Sequence, residues 1–263
     1  PPPPPPPPPP PHTTLFRSTN LFTVISVPLI GVPALLAGLT PEITPLAAEI
    51  REISKGTEWL ALLFCLSLVG LLLTAVYYVT VSFVVSQSQD TDENQIIENW
   101  FTRIGVSWFR LIGLALLFLI AALIIYVPIS IVGALFFLLN PTLGTVALLL
   151  APFIIIWIVI YLSFAPPGIT LNNRSLFQAV KESIQLVQTN LAVVLLMLLL
   201  MILLGAIVDW VLILAENGTW LTLFNILIHA FVNTGFVTAF FILYQDRAAE
   251  LLGAKRTLGD EPF

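Results

Sequence analysis

Asn225, His229 and Asn233 recur at i, i+4 and i+8, so on a helix they share one face. Thr222 extends that stripe by a turn. The stripe lies inside a long apolar run, where polar side chains are costly and point to function by default. Two kinds of chemistry fit it. One is a polar lining for a solute path, with His229 as a proton-responsive group. The other is hydrogen bonding to neighbouring helices, typically worth about 0.6–2 kcal/mol per bond. Ala230, Thr234 and Thr238 form an adjacent stripe of small residues, which suits close helix packing.

The remaining reactive groups are sparse. Asp209 is the one acidic residue within an apolar run, 18 residues after Leu191 and so roughly 27 Å along a helix that starts there. That distance puts it at a membrane interface, where the adjoining Trp210 fits an aromatic belt. Outside the first eighteen residues the chain has one histidine, His229, and one cysteine, Cys65. There is no nucleophile-and-base pair, Gly-rich phosphate loop or HExxH-type ligand spacing. Asp90, Asp92 and Glu93 read as a solvated loop. The sequence therefore leads us to expect no catalytic, cofactor or metal site.

The elements that hold these residues follow from composition. The chain is 58% hydrophobic and 10% charged, against about 25% charged for a soluble domain. Lipid must be its main solvent. A net charge of −5 argues against nucleic acid, which needs clustered Lys and Arg. Six stretches meet the roughly 20 apolar residues that a spanning helix needs: Leu21–Leu39, Trp59–Val85, Leu111–Leu139, Leu143–Phe164, Leu191–Leu214 and Trp220–Tyr244. The runs are continuous rather than alternating, which favours an all-α bundle of six transmembrane helices over a barrel. Pro28, Pro33 and Pro152 fall within spans and predict kinks, not breaks, and the overlong third span must tilt, kink at Pro128 or extend into the headgroups.

The connections supply orientation. Asn140-Pro141-Thr142 and Ala215–Thr219 are tight turns without Lys or Arg. Arg103, Arg110, Arg174, Lys181, Arg247, Lys255 and Arg256 fall on one side of a six-span scheme, and only Arg51 and Lys55 on the other. That asymmetry predicts both termini in the cytoplasm of a cell-membrane protein. Two long connections are amphipathic. In Ser175–Asn190, Leu176, Phe177, Val180, Ile184 and Val187 share an arc of about 100°, and Ser175 with Gln178 has capping-box spacing. In Asn94–Trp108, Ile96, Ile97, Trp100, Phe101, Ile104 and Trp108 cluster likewise. Such helices lie on the membrane surface or pack on the bundle's own end. The candidate interfacial contacts are Phe177, Val180, Ile184, Trp100, Phe101, Asp246 and Arg247. The tail 251–263 is expected to be cytoplasmic.

Residues 1–18 stand apart. Pro1–Pro11 is homopolymer, and Thr13–Ser18 resembles the translation of a sequencing-adapter oligonucleotide. The segment is expected to be disordered and foreign to the fold. A faint repeat runs through the rest. Thr19-Asn20-Leu21 and Thr189-Asn190-Leu191 open spans, and Ser82-Phe83 and Ser163-Phe164 close them. The repeating unit would be surface helix, span, turn or loop, span, three times over, a three-fold hairpin repeat.

Three features resemble a known family. They are Asn20-Leu21 with Pro28 and Pro33, the segment Ala179–Ser183 leading through Asn190 into the fifth span, and the ending Leu243-Tyr244-Gln245-Asp246-Arg247 with Glu250. Together they resemble the membrane domain of bacterial glycerophosphoryl diester phosphodiesterases and their stand-alone relatives. The resemblance implies a prokaryotic source and a partner that is the lipid bilayer, together with other envelope proteins. The family's hydrolytic chemistry resides in a separate soluble barrel with paired metal ligands, and nothing here matches that barrel. The expected function is a non-enzymatic membrane module concerned with scaffolding or envelope lipids. The competing expectation is a small-solute transporter or channel using the stripe on the sixth span.

Overall fold

A computed structural model of the chain describes residues 55–86, 93–212 and 221–259. Among them are seven α-helices and no strand: α1 (Gly56–Ser86), α2 (Glu93–Leu139), α3 (Pro141–Leu162), α4 (Ala165–Leu171), α5 (Leu176–Thr189), α6 (Leu191–Leu212) and α7 (Leu221–Gly259). Five stretches are long and apolar enough to cross a membrane: Gly56–Ser86, Trp100–Leu139, Pro141–Leu171, Leu191–Val208 and Leu227–Glu250. The fold is all-α and of membrane type. The predicted first span, Leu21–Leu39, and residues 1–18 lie outside the described residues.

Local chemistry explains the sharpest turn. The Asn140 side chain accepts a hydrogen bond from the Thr142 N–H at 2.8 Å, and Pro141 starts α3 at a position with no N–H to satisfy. The two arms then close tightly. A Cβ on Gly144 would lie 2.6 Å from the Phe137 Cα, and one on Gly133 would lie 2.7 Å from the Leu148 side chain. Gly144, Ala147 and Ala151 are the buried face of α3 here. Small residues let two backbones approach where lipid offers no hydrophobic force between helices. Pro128 and Pro152 sit inside α2 and α3 without ending them.

Two boundaries differ from expectation. The amphipathic stretch Asn94–Trp108 and the span after it are one helix. No proline or cap separates Trp108 from Leu111, so nothing stops α2. At 47 residues it is about 70 Å long, more than twice the roughly 30 Å hydrocarbon core. Its N-terminal part therefore continues the span instead of lying flat as a separate surface helix. Likewise α7 runs on through the expected tail to Gly259, a stretch rich in good helix formers, with an Arg247–Glu250 ion pair at i, i+3 and 2.8 Å.

The core is concentrated at one end. The span directions alternate, so the C-terminal ends of α1 and α3 and the middle of α7 meet the N-terminal parts of α2 and α6 there. One cluster joins Leu71, Ala75, Tyr78 and Val79 of α1 to Ile104, Leu111 and Leu114 of α2, Ile169 of α4 and Phe241 of α7. A second joins Ile160, Phe164, Leu186, Val187, Val194, Phe240 and Tyr244. In contrast, Leu138, Leu139, Leu149 and Phe153 at the far end of the α2–α3 hairpin are exposed, as are Leu199 and Leu203 of α6. These apolar faces suit contact with lipid.

Candidate functional site at the basic end of the bundle

Short helix α4 is the centre of this end. Its residues from Ala165 to Thr170 are all buried. Seven residues cannot form a stable helix in isolation, so its neighbours must satisfy and enclose it. Arg103 of α2 donates to the carbonyls of Thr170 at 3.3 Å and Leu171 at 3.0 Å, which closes the C-terminal end of α4. The same guanidinium sits 5.1 Å from the Phe83 ring centroid. Arg110, nearly two turns along α2, donates to the Asn173 carbonyl at 2.9 Å and to its side-chain oxygen. Asn173 has φ 50°, the left-handed conformation that Asn tolerates better than most residues. The α4–α5 connection is thus gripped from α2 at two points.

Helix α5 covers α4 from the other side. The Ser175 N–H donates to Gln178 Oε1 at 3.4 Å, one arm of the capping arrangement. Ser183 is fully buried. Its hydroxyl donates to the Tyr161 carbonyl at 2.6 Å and accepts from the Phe164 N–H at 3.1 Å. These are backbone groups left unpaired where α3 ends. Glu182, beside it, takes the Tyr244 hydroxyl at 3.1 Å and pairs with Arg174 Nε at 3.1 Å. Asn172 donates to the Tyr244 oxygen at 3.2 Å. Tyr244 also stacks on Phe164, with centroids 6.4 Å apart. Gly168 makes room for this crossing: a Cβ there would lie 3.1 Å from the Tyr244 hydroxyl.

A cavity of about 240 Å³ lies between this layer and the long apolar parts of the helices. Tyr78, Leu114, Leu162, Pro166, Met201 and Phe240 are among its walls, so α1, α2, α3, α4, α6 and α7 all contribute. The lining is almost wholly apolar. Ser163, at the wall, already donates to the Ile160 carbonyl at 2.8 Å.

The residues singled out in the sequence distribute as follows. His229 and Asn233 are half-buried on α7 and His229 has a partner; the Asn225 side chain lies outside the described set. The stripe ends one turn short of Val237, where the cavity wall begins. Thr234 accepts from the Tyr77 hydroxyl at 3.1 Å. Trp100 packs on the first core cluster, whereas Phe101 is 67% exposed. On α5, Phe177 is 76% exposed, Val180 packs on the core and Ile184 is half-buried. The buried residues of α5 are Ala179, Ser183, Leu186 and Val187. Its inward face is turned by about 80° from the expected apolar arc, most of one residue step, because Ser183 must reach the end of α3. Asp246 is exposed, and Arg247 pairs with Glu250. Asp209 has no described side chain, and Cys65 is exposed. Among the described residues no group of three or more His, Cys, Asp or Glu is placed to hold a metal ion.

Sequence reasoning missed Ser183, Asn172, Asn173, Tyr78 and the roles of Arg103 and Arg110. The Asn172-Asn173 pair is a turn signal that could have been read. The arginines were legible only as charges. No protein-family model, curated protein or solved structure matches the chain.

Proposed function

We propose that the chain is a non-enzymatic integral membrane module whose basic end forms a folded layer at the cytoplasmic membrane surface. In this reading it has six spans, with Leu21–Leu39 as the first, and both termini lie in the cytoplasm of a prokaryotic cell. It is related to the membrane domains attached to glycerophosphodiester phosphodiesterases, and it serves envelope lipids and their proteins as a scaffold.

One observation carries the reading. The polar side chains gathered at the basic end are engaged with one another and with helix ends, as in Ser183 with Tyr161 and Phe164, and Arg103 with Thr170 and Leu171. They build a platform. What the platform presents outward is the exposed part of α5, with Phe177 beside Gln178 and Lys181. An exposed aromatic next to a lysine suits the headgroup region, where the ring enters the acyl boundary and the ammonium stays wet. Arg110, Arg174 and Arg247 lie at the same end and favour an anionic leaflet.

The test uses the full chain in vesicles of phosphatidylethanolamine and phosphatidylglycerol, with Cys65→Ala as background. Phe177→Cys should be shielded from a membrane-impermeant thiol reagent, and Lys181→Cys should react. Equal reactivity would remove the interfacial placement. Hydrolysis of a glycerophosphodiester by the same vesicles, or saturable solute flux through them, would replace the non-enzymatic reading.

A further inference from the structure

The three tyrosines Tyr77, Tyr78 and Tyr244 line the contacts between helices, and they are not equally satisfied. Tyr77 donates to Thr234 and Tyr244 donates to Glu182. Tyr78 is buried, with its ring packed 5.7 Å from Tyr77 and 5.7 Å from Phe241. Its hydroxyl has no hydrogen-bond partner among the described residues, and Tyr78 is part of the cavity wall. A hydroxyl that borders an apolar space without a partner is costly and asks for an explanation. Ser163 is the other side-chain hydroxyl at the wall, and its hydrogen is already given to Ile160.

Size and surroundings narrow what could satisfy Tyr78. A dry apolar cavity of about 150 Å³ takes a benzene ring, and drug-sized ligands need about 300 Å³ or more. At about 240 Å³ the space suits a segment of chain, not a whole amphiphile. Apart from Tyr78 and Ser163 its walls are Leu, Val, Phe, Met and Pro, and the helices that form them carry exposed apolar side chains. The medium there is hydrocarbon chain. A chain that enters brings an acceptor with it when it is ester-linked, because the carbonyl sits where the chain joins its backbone, at the level of the interface. The layer of α4 and α5 defines that level in the bundle.

We infer that the cavity is a binding site for one acyl chain of an ester-linked diacyl lipid, with the Tyr78 hydroxyl donating to the ester carbonyl. The site deepens the reading of the chain as an envelope-lipid module and rests on it. It does not depend on where α5 lies, so the thiol-accessibility test and the one below can fail separately.

The probe is a diacyl phosphatidylcholine with a diazirine in one chain, mixed into the same vesicles with the full protein, then diluted with unlabelled vesicles before photolysis. Helix α6 contains its own control, because Leu198 and Met201 line the cavity while Leu199 and Leu203 face outward. Labelling at Leu198 and Met201 should outlast labelling at Leu199 and Leu203. Tyr78→Phe should lower the wall labelling about five-fold, the effect of one neutral hydrogen bond, with the outer face unchanged. A dialkyl ether analogue, which has no carbonyl, should label wild type and Tyr78→Phe alike. Val237→Trp, which fills the space from α7, should abolish wall labelling while the melting temperature of the detergent-solubilised protein holds. The inference is overturned if wall and outer labelling decay together, or if Tyr78→Phe changes nothing with the ester lipid. It is equally overturned if Met201→Cys in a Cys65→Ala background cross-links efficiently to cysteines placed in Leu21–Leu39, since the chain itself would then fill the cavity.

Discussion

The Tyr244 hydroxyl and the Glu182 carboxylate, 62 residues apart in the chain, meet across 3.1 Å and join α7 to α5. The other oxygen of that carboxylate holds Arg174, so a single acidic group ties α7 to α5 and to the turn before it. Tyr244→Phe keeps the ring stack on Phe164 and removes the hydroxyl. It should cost about 1–2 kcal/mol, read as a shift in the denaturation midpoint of the purified protein. Combined with Glu182→Gln in a double-mutant cycle, the loss should be less than additive. Full additivity would mean that the two groups do not interact.

Ser183→Ala should cost about 1–3 kcal/mol, because it strands the Tyr161 carbonyl and the Phe164 N–H at the end of α3. Thr189→Ala, on the same helix, removes only an exposed bond back to Gln185 and should change stability little. Unfolding in detergent distinguishes the two.

Gly144→Ala should destabilise the α2–α3 hairpin by about 1–3 kcal/mol, since the new methyl would meet Phe137 backbone at 2.6 Å. Gly205→Ala meets nothing within 4 Å and should stabilise α6 by about 0.5–1 kcal/mol. Opposite signs for two identical changes are the expected thermal-shift result.

Phe177→Ser should leave the detergent-solubilised protein folded and weaken its insertion into vesicle headgroups. Val180→Asp should instead unfold the layer, costing at least about 2 kcal/mol, because Val180 packs on the core. Circular dichroism and the melting temperature separate a lipid contact from a core contact.

Asn225→Leu with His229→Leu bears on the solute-path alternative. On the module reading the pair leaves stability unchanged or raised and leaves vesicle permeability as it was. A selective loss of solute flux at unchanged stability would favour transport.

The helical membrane class was legible because it follows from composition and from run length alone. The turn at Asn140-Pro141 was legible because both residues have one strong local preference. The inward face of α5 was not. Leu176, Phe177 and Val180 advertise an apolar arc, but Ser183 is drawn inward by two backbone groups where α3 gives way to α4, 19 and 22 residues earlier. Local periodicity carries no information about such a distant demand. For the same reason the arginines of α2 read as orientation charges, although Arg103 and Arg110 also close the ends of another helix and turn. Tyr78 gave no signal at all, since one tyrosine in an apolar run reads as core.

Arg103 donates to the carbonyls of Thr170 and Leu171, and chain order makes that contact available early. Synthesis delivers α2 to the bilayer first, so its guanidinium is waiting when α4 leaves the ribosome, and that clasp can close during translation. Glu182 must wait, because its tyrosine lies on α7, 62 residues further along the chain. The layer therefore matures in two stages, and a product cut short after α6 would carry a latched α4 beneath an α5 still missing its last anchor.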